Sequence, residues 1–365
     1  MDIQQVFMFR QYFHGHPVPG EEILMKEPFR FYLFAAAAML AAPAAAVLTV
    51  PRPEQSGLIS GVQRPSAAVS AAEVRQTVPA PAEAYRVLRT GSGEIEEIPV
   101  RDYLIGAVAA EMPASYAPEA LKAQAVVSHT YAERIRLQNQ RCPDASLRGA
   151  DFSDDSAHYQ AFYSAEQMRL AGGAHFAENY DKIADAVDAV CNLLLYADGE
   201  PIVAAFHAVS AGKTEASENV WGGALPYLVP VGSEWDSSAP HFEEETVLAA
   251  GTVRKALTGK YPQIVLPEEP AEWFQITDVS ASGTVRTVRC GSEVLTGQAL
   301  RELLSLRSAC FAVTARGDRL VFTTKGFGHN VGMSQYGANE LARRGTDCAG
   351  ILAHYYPGTV LAGIP

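Results

Sequence analysis

Apolar and polar positions alternate in short blocks along this chain, and the blocks change period often. Arg86 to Arg89 and Glu94 to Val100 are short mixed runs of apolar and polar residues around Gly91-Ser92-Gly93, which predicts a β-hairpin with a glycine-rich turn. The next run, Asp102 to Pro113, places Leu104, Ala107, Val108 and Glu111 on one helical face, with Asp102 as the expected N-cap and Pro113 as the stop. A second helix is expected from Pro118, a favoured first position, toward Gln138. It is apolar on most of its circumference, which predicts a central, buried helix. Lys122 and His129 lie seven residues apart on it and share a face. A further hairpin is expected from Leu193 to His207, around the turn Asp198-Gly199. Helices and strands in unsegregated short groups, without regular βαβ alternation, point to an α+β fold.

The N-terminal 84 residues have a different composition. Residues 31–50 are apolar apart from Tyr32, Pro43 and Thr49, and that length suits one membrane span. Lys26 and Arg30 precede it, so the expected topology leaves residues 1–30 in the cytoplasm and the rest of the chain outside the membrane. A cleaved signal peptide is the rival reading, because Ala42-Pro43-Ala44-Ala45-Ala46 offers small residues near a cleavage point. Residues 51–84 are rich in Pro, Ala and Ser, the composition of an extended linker. The folded domain is expected over residues 85–365.

Charge and cysteine content narrow the chemistry. A net charge of -12 argues against nucleic acid as a main partner. Five scattered cysteines without a CxxC pair give neither a zinc ribbon nor a redox motif. Glu111 is the candidate that stands out. A carboxyl on an inward-facing apolar stripe is desolvated, and the negative end of its helix acts in the same direction, so its pKa is expected to rise toward the range useful for acid catalysis.

Three blocks resemble one family. Leu104 to Ser115 together with Glu119 to Val126, then Phe206 to Trp221, then Gly326 to Ala338 resemble, in order, the stage II sporulation protein D family. The resemblance implies a membrane-anchored catalytic domain with a substrate cleft, acting as a lytic transglycosylase. Members cleave peptidoglycan between N-acetylmuramic acid and N-acetylglucosamine on peptide-free glycan strands during engulfment in endospore formation. It implies Glu111 as the catalytic residue, and partners of three kinds: peptidoglycan glycan strands, a cell-wall amidase of the stage II sporulation protein P type, and a membrane scaffold of the stage II sporulation protein M type. No cofactor is expected. The alternative is a non-catalytic peptidoglycan-binding enhancer of a cell-wall amidase, since the same domain occurs in amidase enhancers.

One carboxylate is enough for such a reaction. Ordinary glycosidases use two, whereas a lytic enzyme lets the 6-hydroxyl of the sugar attack the anomeric carbon. Asp102 and Glu119 are the nearest second carboxylates, and both read as helix-start residues. Two departures from the family pattern matter. His129 stands where the family usually has an arginine, so it is expected either to replace that cation beside Glu111 or to be a packed core histidine. Ser153 and Tyr159 occupy loop positions that in the family commonly hold cysteines, which leaves His158 alone and predicts no metal site. Lys122, Gln124, His207, Ser210, Lys213, His329, Gln335 and Tyr336, all within or beside the matching blocks, are the candidate substrate-binding residues.

Other signals are weaker. Gly212-Lys213-Thr214 lacks the upstream glycine of a phosphate-binding loop, where His207 stands. Val209-Ser210-Ala211 is not a nucleophile elbow. Trp221, Tyr227 and Trp235 are candidates for stacking on sugar rings or simply for the core.

Overall fold

A computed structural model describes residues 82–363. The expected cytoplasmic segment, the apolar stretch 31–50 and nearly all of the linker lie outside the described residues. No described helix is long and apolar enough to cross a membrane.

The first hairpin pairs Ala84–Leu88 (β1) with Ile95–Pro99 (β2), closed by the Arg89 N–H donating to the Glu94 carbonyl at 2.8 Å. Val100–Glu111 (α1) follows without a break, with Pro99 at the cap position and no side-chain cap. Asp102 is therefore not the N-cap; it sits in the first turn, where its charge favours the helix N-terminus. Pro118–Arg141 (α2) is the long helix, opened by its proline and buried along most of its length. Phe152–Ser153 (β3) adds in parallel to β1. Ala165–Gly172 (α3), held by a Ser164/Gln167 capping box, leads to Phe176–Asp188 (α4), which packs on both α1 and α2.

Leu193–Ala197 (β4) turns back through Asp198 and Gly199, both at positive φ (51° and 76°), into Glu200–Pro201 (β5). That is the backbone an Asp-Gly hairpin needs. The expected second strand, continuing to His207, is corrected by the structure. Within that expected strand only Glu200–Pro201 pairs with β4, and Phe206–His207 (β6) leaves to join Met333–Ser334 in parallel. Ser217–Trp221 (α5) comes next.

Residues 243–325 build a second layer with its own core. Glu243–Ala249 (β7), Ala250–Lys260 (α6), Phe274–Val279 (β8), Val285–Cys290 (β9), Glu293–Leu295 (β10), Gly297–Leu304 (α7), Phe311–Arg316 (β11) and Arg319–Lys325 (β12) form antiparallel sheets ordered β10-β9-β8 and β11-β12-β7. Trp273, Val288, Leu300 and Phe322 lie in the middle of this core. The chain then returns to the first core through Met333–Ser334 (β13), Gln335–Arg343 (α8), Cys348–Tyr355 (α9) and Val360–Gly363 (β14), which pairs with β4. The α+β class expected from the sequence is the one observed.

Candidate functional site

Glu111 ends α1 with only 8% of its surface exposed, and its Oε1 has no hydrogen-bond partner within the protein. Burial pushes its pKa up to about 8, while the Ala161 N–H and the Gln335 side-chain amide, which favour the ionised form, oppose the shift. Desolvation wins. Tyr103 and Tyr131 are close enough to feel the charge of Glu111, and burial raises both phenols.

Amides and one hydroxyl continue the wall. The Gln335 Nε2 donates to Gln124 Oε1 at 3.3 Å, the Gln124 Nε2 donates to Ser128 Oγ at 3.1 Å, and the Gln160 Nε2 donates to the same hydroxyl at 2.6 Å. Four neutral polar side chains from α2, α8 and the loop after β3 therefore form one hydrogen-bonded chain, whose Gln335 end meets the Glu111 carboxyl. Gln160 and Ala161 are held there because Gly106 lets the loop lie directly on α1. A Cβ at Gly106 would fall 2.3 Å from the Tyr163 carbonyl and 2.6 Å from the Phe162 ring, and the Tyr163 N–H donates to the Gly106 carbonyl at 3.1 Å.

His129 lies elsewhere in the electrostatics of α2. Burial pushes its pKa down to about 4, the Cys191 backbone opposes this, and Arg136 is the charge that lowers it further. It is neutral at pH 7, so the expected coupling of a His129 cation to Glu111 does not form. The packed-histidine alternative describes its surroundings. Lys122 is tied to Glu119 at 2.6 Å, and Glu119 accepts the Cys348 N–H at 2.8 Å, so both serve the packing of α2 on α9.

A second group forms where β6 meets β13. The His207 Nδ1 donates to the Val331 carbonyl at 3.1 Å, which leaves its buried Nε2 as a lone pair without a partner. His329 Nδ1 accepts the Val331 N–H at 3.1 Å. The two rings are 5.7 Å apart, and Trp221, which is 49% exposed, lies 5.2 Å beyond His329. Burial lowers both imidazole pKa values, that of His207 to about 4, and each ring stays neutral at pH 7. Gly332, at φ +73°, makes the parallel pairing possible, since a Cβ there would meet the Ala205 carbonyl at 2.0 Å.

The remaining candidates separate. Ser210 turns inward, its N–H donating to Asp236 Oδ2 at 2.9 Å. Lys213 is exposed, and its carbonyl accepts from the Asn330 amide at 2.9 Å. The Tyr336 hydroxyl donates to the Ser238 carbonyl at 3.1 Å. In the loop after β3, His158 Nδ1 pairs with Asp155 Oδ2 at 2.9 Å and Tyr159 packs its ring on Phe152. Among the described residues no three His, Cys, Asp or Glu side chains gather as a metal site. The sequence marks Gln124 and Gln335 as substrate-binding candidates without placing them at Glu111, and Ser128, Gln160 and Asp236 are not among its candidates. Gln160 follows Tyr159 in the loop after β3, and its approach to α2 is a tertiary fact.

A buried acid ends a short helix that packs on a long core helix, and the C-terminal block returns to that same core helix. A family model described as stage II sporulation protein matches residues 89–196, the stretch that contains Glu111 and all of α2. The chain is 34% identical to stage II sporulation protein D of Bacillus subtilis (strain 168), over 87% of this chain and 90% of that protein. It is 36% identical to the protein of the same name from Bacillus amyloliquefaciens, over 74% and 76%. An amidase enhancer of Bacillus subtilis (strain 168) is 28% identical over 71% of this chain and 40% of its own length. The chain belongs to the stage II sporulation protein D family.

Proposed function

We propose that this protein is a peptidoglycan lytic transglycosylase with Glu111 as its single acid and base. The observation that carries the reading is a carboxyl buried at 8% exposure, with one unpartnered oxygen and a pKa of about 8. Such a group is protonated at neutral pH. In the first step Glu111 gives its proton to the glycosidic oxygen as the bond from the anomeric carbon of N-acetylmuramic acid breaks. The 6-hydroxyl of the same sugar then attacks that carbon and passes its proton to the Glu111 carboxylate. The product is a 1,6-anhydro sugar, no water is consumed, and Glu111 returns to its starting state. The neutral amide of Gln335 hydrogen-bonds the carboxylate side of this cycle without lowering the acid as far as a cation would, and Gln124 holds that amide. Trp221 offers a stacking face for a sugar ring, with His329 and His207 behind it.

In this reading the substrate is peptide-free glycan, supplied by an amidase, and the work belongs to septal wall thinning and engulfment during endospore formation. The protein is held by the apolar stretch 31–50 with residues 82–363 on the extracytoplasmic side, beside the amidase and a membrane scaffold. A second reading, a non-catalytic enhancer of the amidase, is favoured by the 28% identity to a protein of that name and by the neutral His129 at the family's arginine position. The test is incubation of the purified protein with peptide-free glycan strands. Anhydro-sugar products from the wild type and none from Glu111→Gln are expected. No products, together with faster amidase turnover on whole peptidoglycan, would replace the first reading with the second.

A further inference from the structure

Asp236 is a buried carboxylate that the proposed reaction does not use. It is 0% exposed and sits in the single turn Glu234–Ser238. Its Oδ2 accepts the Ser210 N–H at 2.9 Å and the Ser233 hydroxyl at 3.0 Å, and the Ser334 hydroxyl also hydrogen-bonds it. No lysine or arginine pairs with it among the described residues, and the titratable groups facing it are the phenols of Tyr116, Tyr336 and Tyr355. An unpaired buried carboxylate costs stability. Its placement therefore calls for a role.

Ser334 supplies the link. Its oxygen accepts the Gly337 N–H at 3.1 Å as the N-cap of α8, so its one hydroxyl proton is available to Asp236. The next residue is Gln335, whose amide meets Glu111 and donates to Gln124. Asp236 also grips Ser210, three residues after His207, which is paired with Ser334 across β6 and β13. One carboxylate thus holds both strands that deliver Gln335.

We propose that Asp236 is a positioning residue for Glu111: through Ser334 it fixes the start of α8 where the Gln335 amide reaches the Glu111 carboxyl. The inference concerns the carboxyl itself and can be tested without turnover. Glu111 is titrated by carbon-13 carboxyl NMR in the substrate-free protein for wild type, Asp236→Asn, Ser334→Ala, Gln335→Ala and the Asp236→Asn/Gln335→Ala pair. Losing a hydrogen bond to the ionised form moves a carboxyl midpoint upward, by about one pH unit. Removing the charge of Asp236 alone would move it downward, since a like charge disappears.

An upward shift in Asp236→Asn, in Ser334→Ala and in Gln335→Ala is expected, with no further shift in the double variant. An unchanged or lowered midpoint in Asp236→Asn would overturn the proposal. So would an unchanged midpoint in Gln335→Ala, or additive shifts in the double variant. If Asp236→Asn does not fold by near-ultraviolet circular dichroism, Ser334→Ala decides alone, and its midpoint equal to wild type overturns the link. A protein with these shifts that cleaves no glycan would remove the transglycosylase reading and leave this one standing.

Discussion

At Glu111 two effects of opposite sign meet, and their balance defines the residue. The Ala161 and Gln335 donors favour the carboxylate, burial favours the acid, and the outcome near 8 means that the folded protein holds a proton there that the unfolded chain releases near 4.5. Stability from this group is full below about 4.5 and is lost as pH rises through about 8, because the native state then binds the extra proton. The Glu111→Gln protein is expected to lack that loss, so its stability should exceed that of wild type most at pH 8 to 9, by an amount on the order of a few kcal/mol, seen as a higher melting temperature. Its rate on peptide-free glycan should fall roughly 100-fold or more, the scale of a missing general acid. Equal melting curves across that range would show that Glu111 is not buried as an acid. The histidines act oppositely. His129 and His207 are depressed from 6.5 to about 4, so their contribution is present above 6.5 and lost as pH falls through 4. His129→Leu is expected to blunt acid unfolding between pH 6.5 and 4, and to leave the pH dependence of cleavage between 6.5 and 8 unchanged. A shifted cleavage profile would restore a titrating role to His129.

Elements, once formed, need specific contacts to bring their side chains together. α1 and the loop after β3 meet at Gly106, where the closest loop atom leaves no room for a methyl group. Gly106→Ala would raise helix propensity by about 1 kcal/mol in isolation. Here the clash with the Tyr163 carbonyl and the Phe162 ring outweighs that gain, and the net cost is expected to be about 1 to 3 kcal/mol. The displaced loop carries Ala161 away from Glu111, so the same variant should titrate Glu111 higher than wild type. A more stable Gly106→Ala protein, measured by denaturant unfolding, would contradict the packing described. The pairing of β6 with β13 is the other decisive contact, since it sets His207 against the segment that starts α8.

Among the described residues the two largest hydrophobic cores are joined by polar ties. Glu215, 0% exposed, accepts the Ala216 N–H at 2.9 Å and the Asn219 amide at 2.8 Å in the first layer, and the Ser280 hydroxyl reaches it from the second at 2.5 Å. Ser282 adds a bond from its hydroxyl to the Thr214 carbonyl at 2.7 Å. Glu215→Ala removes the acceptor of all three bonds at once and is expected to cost about 3 kcal/mol, since one buried and two half-buried donors lose their partner. Ser280→Ala, which removes one donor, should cost about 1 kcal/mol. Chemical denaturation of both variants checks the order, and equal costs would show that Ser280 carries the whole tie. At the same scale, the proposed anchor makes protease added to intact protoplasts remove the folded domain, and protection of that domain would oppose the topology inferred from Lys26 and Arg30.

Local chemistry made much of this protein legible in advance. The Asp-Gly hairpin, the proline that opens α2, the amphipathic α1 and the buried Glu111 with its raised pKa all follow from neighbours within a few residues, where backbone geometry and side-chain period act directly. The α+β class follows from the order of such segments. Long-range pairing was not legible. Phe206-His207 read as the end of a hairpin because the local alternation continued, yet its partner is Met333-Ser334, more than a hundred residues later. The tertiary structure alone decided that His129 is a neutral core histidine beside Arg136, that Gln160 and Gln335 border Glu111, and that Asp236 holds the start of α8. The physical reason is the same in each case: burial and hydrogen bonding depend on which distant segments pack together, and a pattern of nearest neighbours does not contain that.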